Sequence, residues 1–277
     1  MEPALVKSLG LTGPGGVVSL VGGGGKTTLM FRLARELADS GCRVLTTTTT
    51  KIFRPDPDQS PHLVVDAEPD GLIRRTRALM ESGCRHMTAV QGFGGGVDKL
   101  VGLPRSAVTE LVRHGGFDWI LVEADGAKRR PLKAPAAHEP VVPAESTVVT
   151  AVVGLEAIDR PLAAPWVFRC KYYSRITGLS EAAAVTLESV ACVLTHPQGM
   201  MKGAPEGARR CVFLNKADNR RRLVHGRKLA KLLTAVDGGP ERVVVGALRD
   251  SRAVRLIEIR GNGKRSSTNQ FWSEGGL

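Results

Sequence analysis

Short runs of apolar residues bounded by glycine, proline or charge alternate along the chain with stretches whose apolar positions return every three or four residues. The runs predict buried strands over residues 17–21, 43–48, 62–66, 87–93, 117–122, 147–153, 211–214 and 242–248. Between them, Leu29, Leu33 and Leu37, broadened by Met30 and Phe31, give a helical stripe directly behind the first run. Helical patterns also span 69–82, 104–114 and 220–235. Strand and helix in alternation predict an α/β fold: a mostly parallel sheet with helices on both faces.

Two segments depart from this rhythm. Residues 156–208 carry Pro161 and Pro165, the aromatics Trp166, Phe168, Tyr172 and Tyr173, and a short helix ending near His196. We read them as an inserted helical segment, either a lid or partner surface beside a ligand site or a helical cap without chemistry. Residues 261–277 are polar and glycine-rich and read as a flexible tail. The expectation is a single domain over 1–260 that includes the insertion.

Gly22, Gly23, Gly24, Gly25, Lys26, Thr27 and Thr28 follow the first strand and open the first helix, the order of a P-loop, so the domain is expected to be a P-loop NTPase. Backbone N–H groups that close on a phosphate leave little room for a Cβ, so glycine is favoured there, and the helix N-terminus adds a partial positive charge. Lys26 is placed to neutralise β- and γ-phosphate oxygens, and the Thr27 hydroxyl to ligate Mg²⁺. The loop departs from G-x-x-x-x-G-K-[ST], because Leu20 stands six positions before Lys26; only G-x-x-G-K-T is satisfied. Such short loops resemble those of Mur-type ligases, which use ATP. The alternative is a flexible glycine turn.

Asn215, Lys216 and Asp218 form N-K-x-D at the end of a predicted strand, the pattern with which GTPases read guanine. Asp218 can accept from guanine N1–H and N2–H₂, a donor pair that adenine does not present. The alternative is an Asn/Asp cap of the helix at 220–235. Midway between the two motifs, the strand at 117–122 delivers Glu123 and Asp125 to the sheet edge, where a carboxylate can hold Mg²⁺ directly or through water. Thr46 to Thr50 end another strand, and Thr49 is taken as a further metal ligand, a role that mere β-propensity rivals.

A formal net charge of +12 raises the question of nucleic acid, but the basic clusters are scattered and aromatic residues make up only 4% of the chain, leaving few stacking platforms. A positive field around a polyanionic nucleotide accounts for the charge more simply. Cys42, Cys84, Cys170, Cys192 and Cys211 have no C-x-x-C spacing; Cys42, Cys192 and Cys211 lie in apolar runs and are expected to be buried. With no apolar signal core and no run of membrane-spanning length, the expected location is the cytoplasm.

Taken together, Val21 to Met30, the threonine run with Lys51, Ile52, Phe53, Arg54 and Pro55, the segment Val122 to Lys128 continuing through Pro131 to Pro135, and His196-Pro197-Gln198-Gly199 leading to Asn215 resemble the YqeC-type proteins. The resemblance covers residues 16–248 and implies an accessory role in maturing selenium-dependent molybdenum hydroxylases, with the hydroxylase or its other maturation factors as partners. The Glu123 to Gly126 pattern with N-K-x-D is more distantly similar to the GTPases that aid nickel insertion, which implies that Glu123 and Asp125 lie at the Mg²⁺ side. The resulting expectation is a Mg²⁺-dependent, GTP-preferring hydrolase in which Lys26 and the Glu123/Asp125 pair act on the phosphoryl group. An ATP-dependent transferase or ligase, and a non-hydrolysing nucleotide-gated binding protein, are the alternatives.

Overall fold

A computed structural model describes residues 5–95 and 98–261. The first half of the chain contains α1 (Leu5–Ser8), β1 (Gly16–Gly22), α2 (Lys26–Asp39), β2 (Val44–Thr48), β3 (Lys51–Phe53), β4 (Leu63–Val65), α3 (Pro69–Glu81), β5 (His86–Val90), β6 (Gly92–Phe93), β7 (Lys99–Val101) and α4 (Arg105–His114). The second half contains β8 (Trp119–Glu123), β9 (Leu132–Lys133), β10 (Ser146–Gly154), β11 (Val167–Phe168), α5 (Cys170–Thr177), α6 (Leu187–Thr195), β12 (Arg209–Asn215), α7 (Arg220–Ala235), β13 (Arg242–Gly246) and β14 (Val254–Ile259).

Nine of these strands form a sheet in the order β14-β13-β12-β10-β1-β8-β2-β5-β4, with every pair parallel except β13 with β14. Side chains alternate across each strand, so the period-2 pattern sorts the core into faces. Val18 and Leu20 of β1 join Leu121, Val152 and Phe213 beneath α1 and α2. Val17 faces the other way with Ile120 and Val122 against α3 and α4, and Val21 faces Ala151 and Leu214 beneath α6 and α7. The mostly parallel sheet with helices on both faces is as the pattern predicts.

The predicted strand at 87–93 divides at Gln91, whose N–H donates to the Val101 carbonyl. Its first part stays in the main sheet as β5. Its second part, β6, joins a small antiparallel sheet of order β3-β7-β6. Residues 156–208 connect β10 to its parallel neighbour β12 and hold α5 and α6, while β11 pairs with β9. Of the tail at 261–277, all but Gly261 lies outside the described residues. Cys211 is buried, but Cys42 and Cys192, expected inside, are half-buried, and all five cysteines are free thiols. Among the described residues no helix is long and apolar enough to cross a membrane.

Candidate functional site

At the C-terminal edge of the sheet the ends of β1, β8, β10 and β12 converge. β1 runs on to Gly22, so Leu20 lies inside the strand and fully in the core, and only Gly23, Gly24 and Gly25 separate strand from helix. This explains the short motif: Leu20, Val21 and Gly22, which the longer motif would place in its loop, are spent as sheet. Gly24 and Gly25 adopt φ of 75° and 134°, where L side chains are rare. A Cβ at Gly24 would lie 2.4 Å from Gly154 N, and one at Gly25 2.4 Å from Asn215 Nδ2. Neighbouring loops therefore demand glycine from the protein side, whatever lies in front.

The loop's N–H groups divide into two sets. Gly22 N donates to Asp125 Oδ2 at 3.0 Å, Gly23 N to the Val152 carbonyl at 2.8 Å and Gly24 N to the Arg130 carbonyl at 2.9 Å. The next four, of Gly25, Lys26, Thr27 and Thr28, belong to the open first turn of α2 and have no acceptor among the described residues. Free N–H groups at the start of a fourteen-residue helix form an anion-binding surface.

Lys26 is only 4% exposed. Its Nζ donates to the Gly22 carbonyl at 2.7 Å and lies 3.5 Å from Glu123 Oε1 and 3.2 Å from Asp125 Oδ1. Burial, the largest single influence, pulls its pKa down, but the Asp125 and Glu123 carboxylates together outweigh it and hold the pKa above the ordinary lysine value. Thr27 Oγ1 donates to Glu123 Oε2 at 2.6 Å. Glu123 and Asp125 both reach Lys26, from different positions. Glu123 sits at the end of β8 beside Thr27, and Asp125, one turn of chain later, secures the loop through Gly22.

Behind Asp125 lies a part of the site that the sequence did not reveal. Lys133 is fully buried, 3.0 Å from Asp125 Oδ2 and 2.7 Å from Glu139 Oε2, and Arg169 Nη2 reaches Glu139 Oε1 at 3.0 Å. Three carboxylates and three cations thus alternate from Glu123 through Lys26, Asp125, Lys133 and Glu139 to the half-buried Arg169. The available signal was a lysine in the otherwise apolar Leu132-Lys133-Ala134, between Pro131 and Pro135.

The threonine run separates by position. Thr46 and Thr47 bond within the sheet, to Thr88 Oγ1 and the Ala89 carbonyl. Thr48 donates to the Glu123 carbonyl. Thr49, read as a metal ligand, donates to the Val141 carbonyl at 2.8 Å, while Thr50 lines the cleft. The structure brings Thr27, Glu123 and Asp125 together and turns the Thr49 hydroxyl elsewhere.

At the other end, Asn215 is buried and joins three loops. Its Nδ2 donates to the Gly24 carbonyl at 2.7 Å, and its Oδ1 accepts from Lys216 N at 2.8 Å and Leu248 N at 3.0 Å. Lys216, with φ of 65°, ion-pairs with Glu156. Asp218 is exposed and its Oδ1 accepts from Arg222 at 2.6 Å. The cap of α7 is neither Asn215 nor Asp218 but Asn219, whose Oδ1 accepts from Arg222 N at 3.0 Å.

One cleft of about 1030 Å³ contains both ends, with Gly24 to Thr28 and Glu123 in one part and Asn215, Lys216 and Asp218 in another. That volume is at the upper limit of pockets that bury one drug-sized ligand, roughly 300–1,000 Å³. Among the described residues no three His, Cys, Asp or Glu side chains cluster as a metal cage. The Thr27 hydroxyl and the Glu123 carboxylate are oxygen donors. Such a set suits Mg²⁺, which takes one or two protein carboxylates and completes its shell with phosphate oxygens and water.

In comparison with known proteins, residues 18–171 match the family model described as "YqeC protein". Over 214 residues the chain is 39% identical to the Escherichia coli (strain K12) protein described as "Uncharacterized protein YqeC", covering 77% of this chain and 80% of that relative.

Proposed function

The chain belongs to the YqeC family, and from that premise we propose that it is a P-loop nucleotide-binding protein with a Mg²⁺-dependent, GTP-preferring NTPase activity. The observation that carries this reading is the buried Lys26 at the mouth of a helix whose first N–H groups, Gly25 to Thr28, have no acceptor among the described residues. A triphosphate satisfies these donors and draws Lys26 onto its β- and γ-oxygens. Thr27 and Glu123 would hold Mg²⁺, which would supply charge neutralisation for the phosphate oxygens. Asp125 keeps Lys26 and Gly22 in place and is the second acidic candidate at the metal.

Guanine is favoured over adenine because Asp218 is released from capping by Asn219 and lies in the same cleft as the phosphate loop. Asn215 fixes the base loop to the phosphate loop through Gly24. The role we assign is that of a cytoplasmic accessory factor in the maturation of selenium-dependent molybdenum hydroxylases, acting on the hydroxylase or on its other maturation factors. Titration with GTP and with ATP in the presence of Mg²⁺, by calorimetry on the parent and on Asp218→Ala, tests the reading. Tighter GTP binding that Asp218→Ala reduces to the ATP level supports it; equal binding of both nucleotides by the parent shifts the assignment to an ATP-dependent transferase or ligase.

A further inference from the structure

The nucleotide reading leaves one part of the cleft unassigned. Its wall is built from Lys51 on β3, Lys99 on β7, and Lys128 and Arg129 on the loop after β8. That loop abuts the phosphate loop, since the Arg130 carbonyl accepts from Gly24 N. None of the four cations has a carboxylate at ion-pair distance among the described residues. Aromatic rings hold three of them instead: the Arg129 guanidinium lies 4.6 Å and Lys99 Nζ 6.0 Å from the Phe53 ring centre, and Lys128 Nζ lies 5.5 Å from that of Phe168. An aromatic face positions a cation without cancelling its charge. Lys26, in the same cleft, and Lys133, against the same Phe168 ring as Lys128, are by contrast neutralised by carboxylates.

Lys128 and Arg129 also carry successive positive φ angles of 46° and 61°. Non-glycine residues adopt this conformation at a free-energy cost, and such outliers concentrate where a ligand is held. We propose that this wall is the binding site of a second, anionic small molecule, recognised through a phosphate-class oxyanion group and seated beside the nucleotide's phosphates. The proposal rests on the nucleotide reading and extends it by naming the charge class of a co-substrate. The four cations line the same cleft as Gly24 to Thr28.

The test is equilibrium dialysis of radiolabelled orthophosphate against the full-length protein held in Mg²⁺ and a saturating non-hydrolysable GTP analogue, with analogue binding measured in the same samples. We expect one saturable equivalent of phosphate per chain. It should weaken at least tenfold in the Lys128→Gly/Arg129→Gly double variant, in which glycine tolerates the left-handed backbone and the thermal midpoint does not fall. Lys51→Ala should weaken it about threefold. If the analogue binds but phosphate does not, or the analogue displaces phosphate, or the double glycine variant binds phosphate as the parent does, the proposal is overturned while the nucleotide reading survives. If the analogue itself fails to bind, that reading falls, and the same titration without nucleotide decides the wall. Phosphate lost in the double glycine variant but retained in Lys26→Ala supports the site; the reverse pattern assigns the anion to the glycine loop and overturns it.

Discussion

At the Lys26 end of the cleft the charged side chains are buried and paired: Lys26 is 4% exposed, Asp125 1% and Lys133 0%. At the Asp218 end the side chains of Asp218, Arg222 and Lys216 remain 45%, 30% and 38% exposed. The same kind of ion pair has different consequences in these settings. Removing one member of a buried pair strands its partner's charge in a poorly solvated interior, whereas an exposed pair is screened and contributes little. The Lys26 end is therefore a structural element of the fold, whereas the Asp218 end contributes little to stability.

The hardest test of this contrast is Asp125→Asn, which leaves Lys26 and Lys133 without a shared counter-charge. We expect it to lower stability by about 3–5 kcal/mol in urea unfolding, against less than about 0.5 kcal/mol for Asp218→Asn. Equal effects would erase the distinction. Acid separates both ends from the sheet beneath them. His86 is buried against Thr46 and Phe31, and burial pushes its pKa down from 6.5 to about 4. Between those values the unfolded chain binds a proton that the folded chain excludes. Stability is thus full above pH 6.5 and falls as pH drops towards 4, by roughly 3 kcal/mol. Unfolding curves across this range should show the loss, and His86→Gln should flatten it.

Two smaller effects concern ligands. Lys26→Ala, compared under conditions where circular dichroism shows it folded, should weaken triphosphate binding about 100-fold, or roughly 2.7 kcal/mol. Asp218→Ala should change the GTP-to-ATP preference about tenfold, or roughly 1.4 kcal/mol, with little change in ATP affinity. If Asp218→Ala weakened both nucleotides equally, the exposed end would be contributing general affinity and the division of roles would fail.

What the sequence revealed follows the range of the interactions. Gly22 to Thr28 and β8 with Glu123 are local patterns, legible because strand, loop and helix geometry are set by neighbours in the chain. The helix from Arg220 to Ala235 was equally clear, since its polar start and apolar spacing are local too. Lys133 was not legible. Its burial depends on Glu139, on Arg169 more than thirty residues away, and on the two-residue pairing of β9 with β11. The end of β2 at Thr48 was legible in the pattern, but the direction of the next hydroxyl was not, because tertiary partners alone turn Thr49 to the Val141 carbonyl.

The position of β1 at the middle of the sheet has a consequence for biosynthesis. Its neighbours are β8 and β10, with Val17 beside Ile120 and Val18 beside Val148, so the strand that carries the glycine loop leaves the ribosome long before anything can flank it. Asp125, which anchors Gly22, emerges with β8, and Asn215, which holds Gly24, emerges only after β10. Such distant pairings form slowly, and unpaired strands are exposed to aggregation meanwhile. A nascent chain of this protein therefore carries its most recognisable motif for most of its synthesis before all the residues that hold that loop in shape have been made.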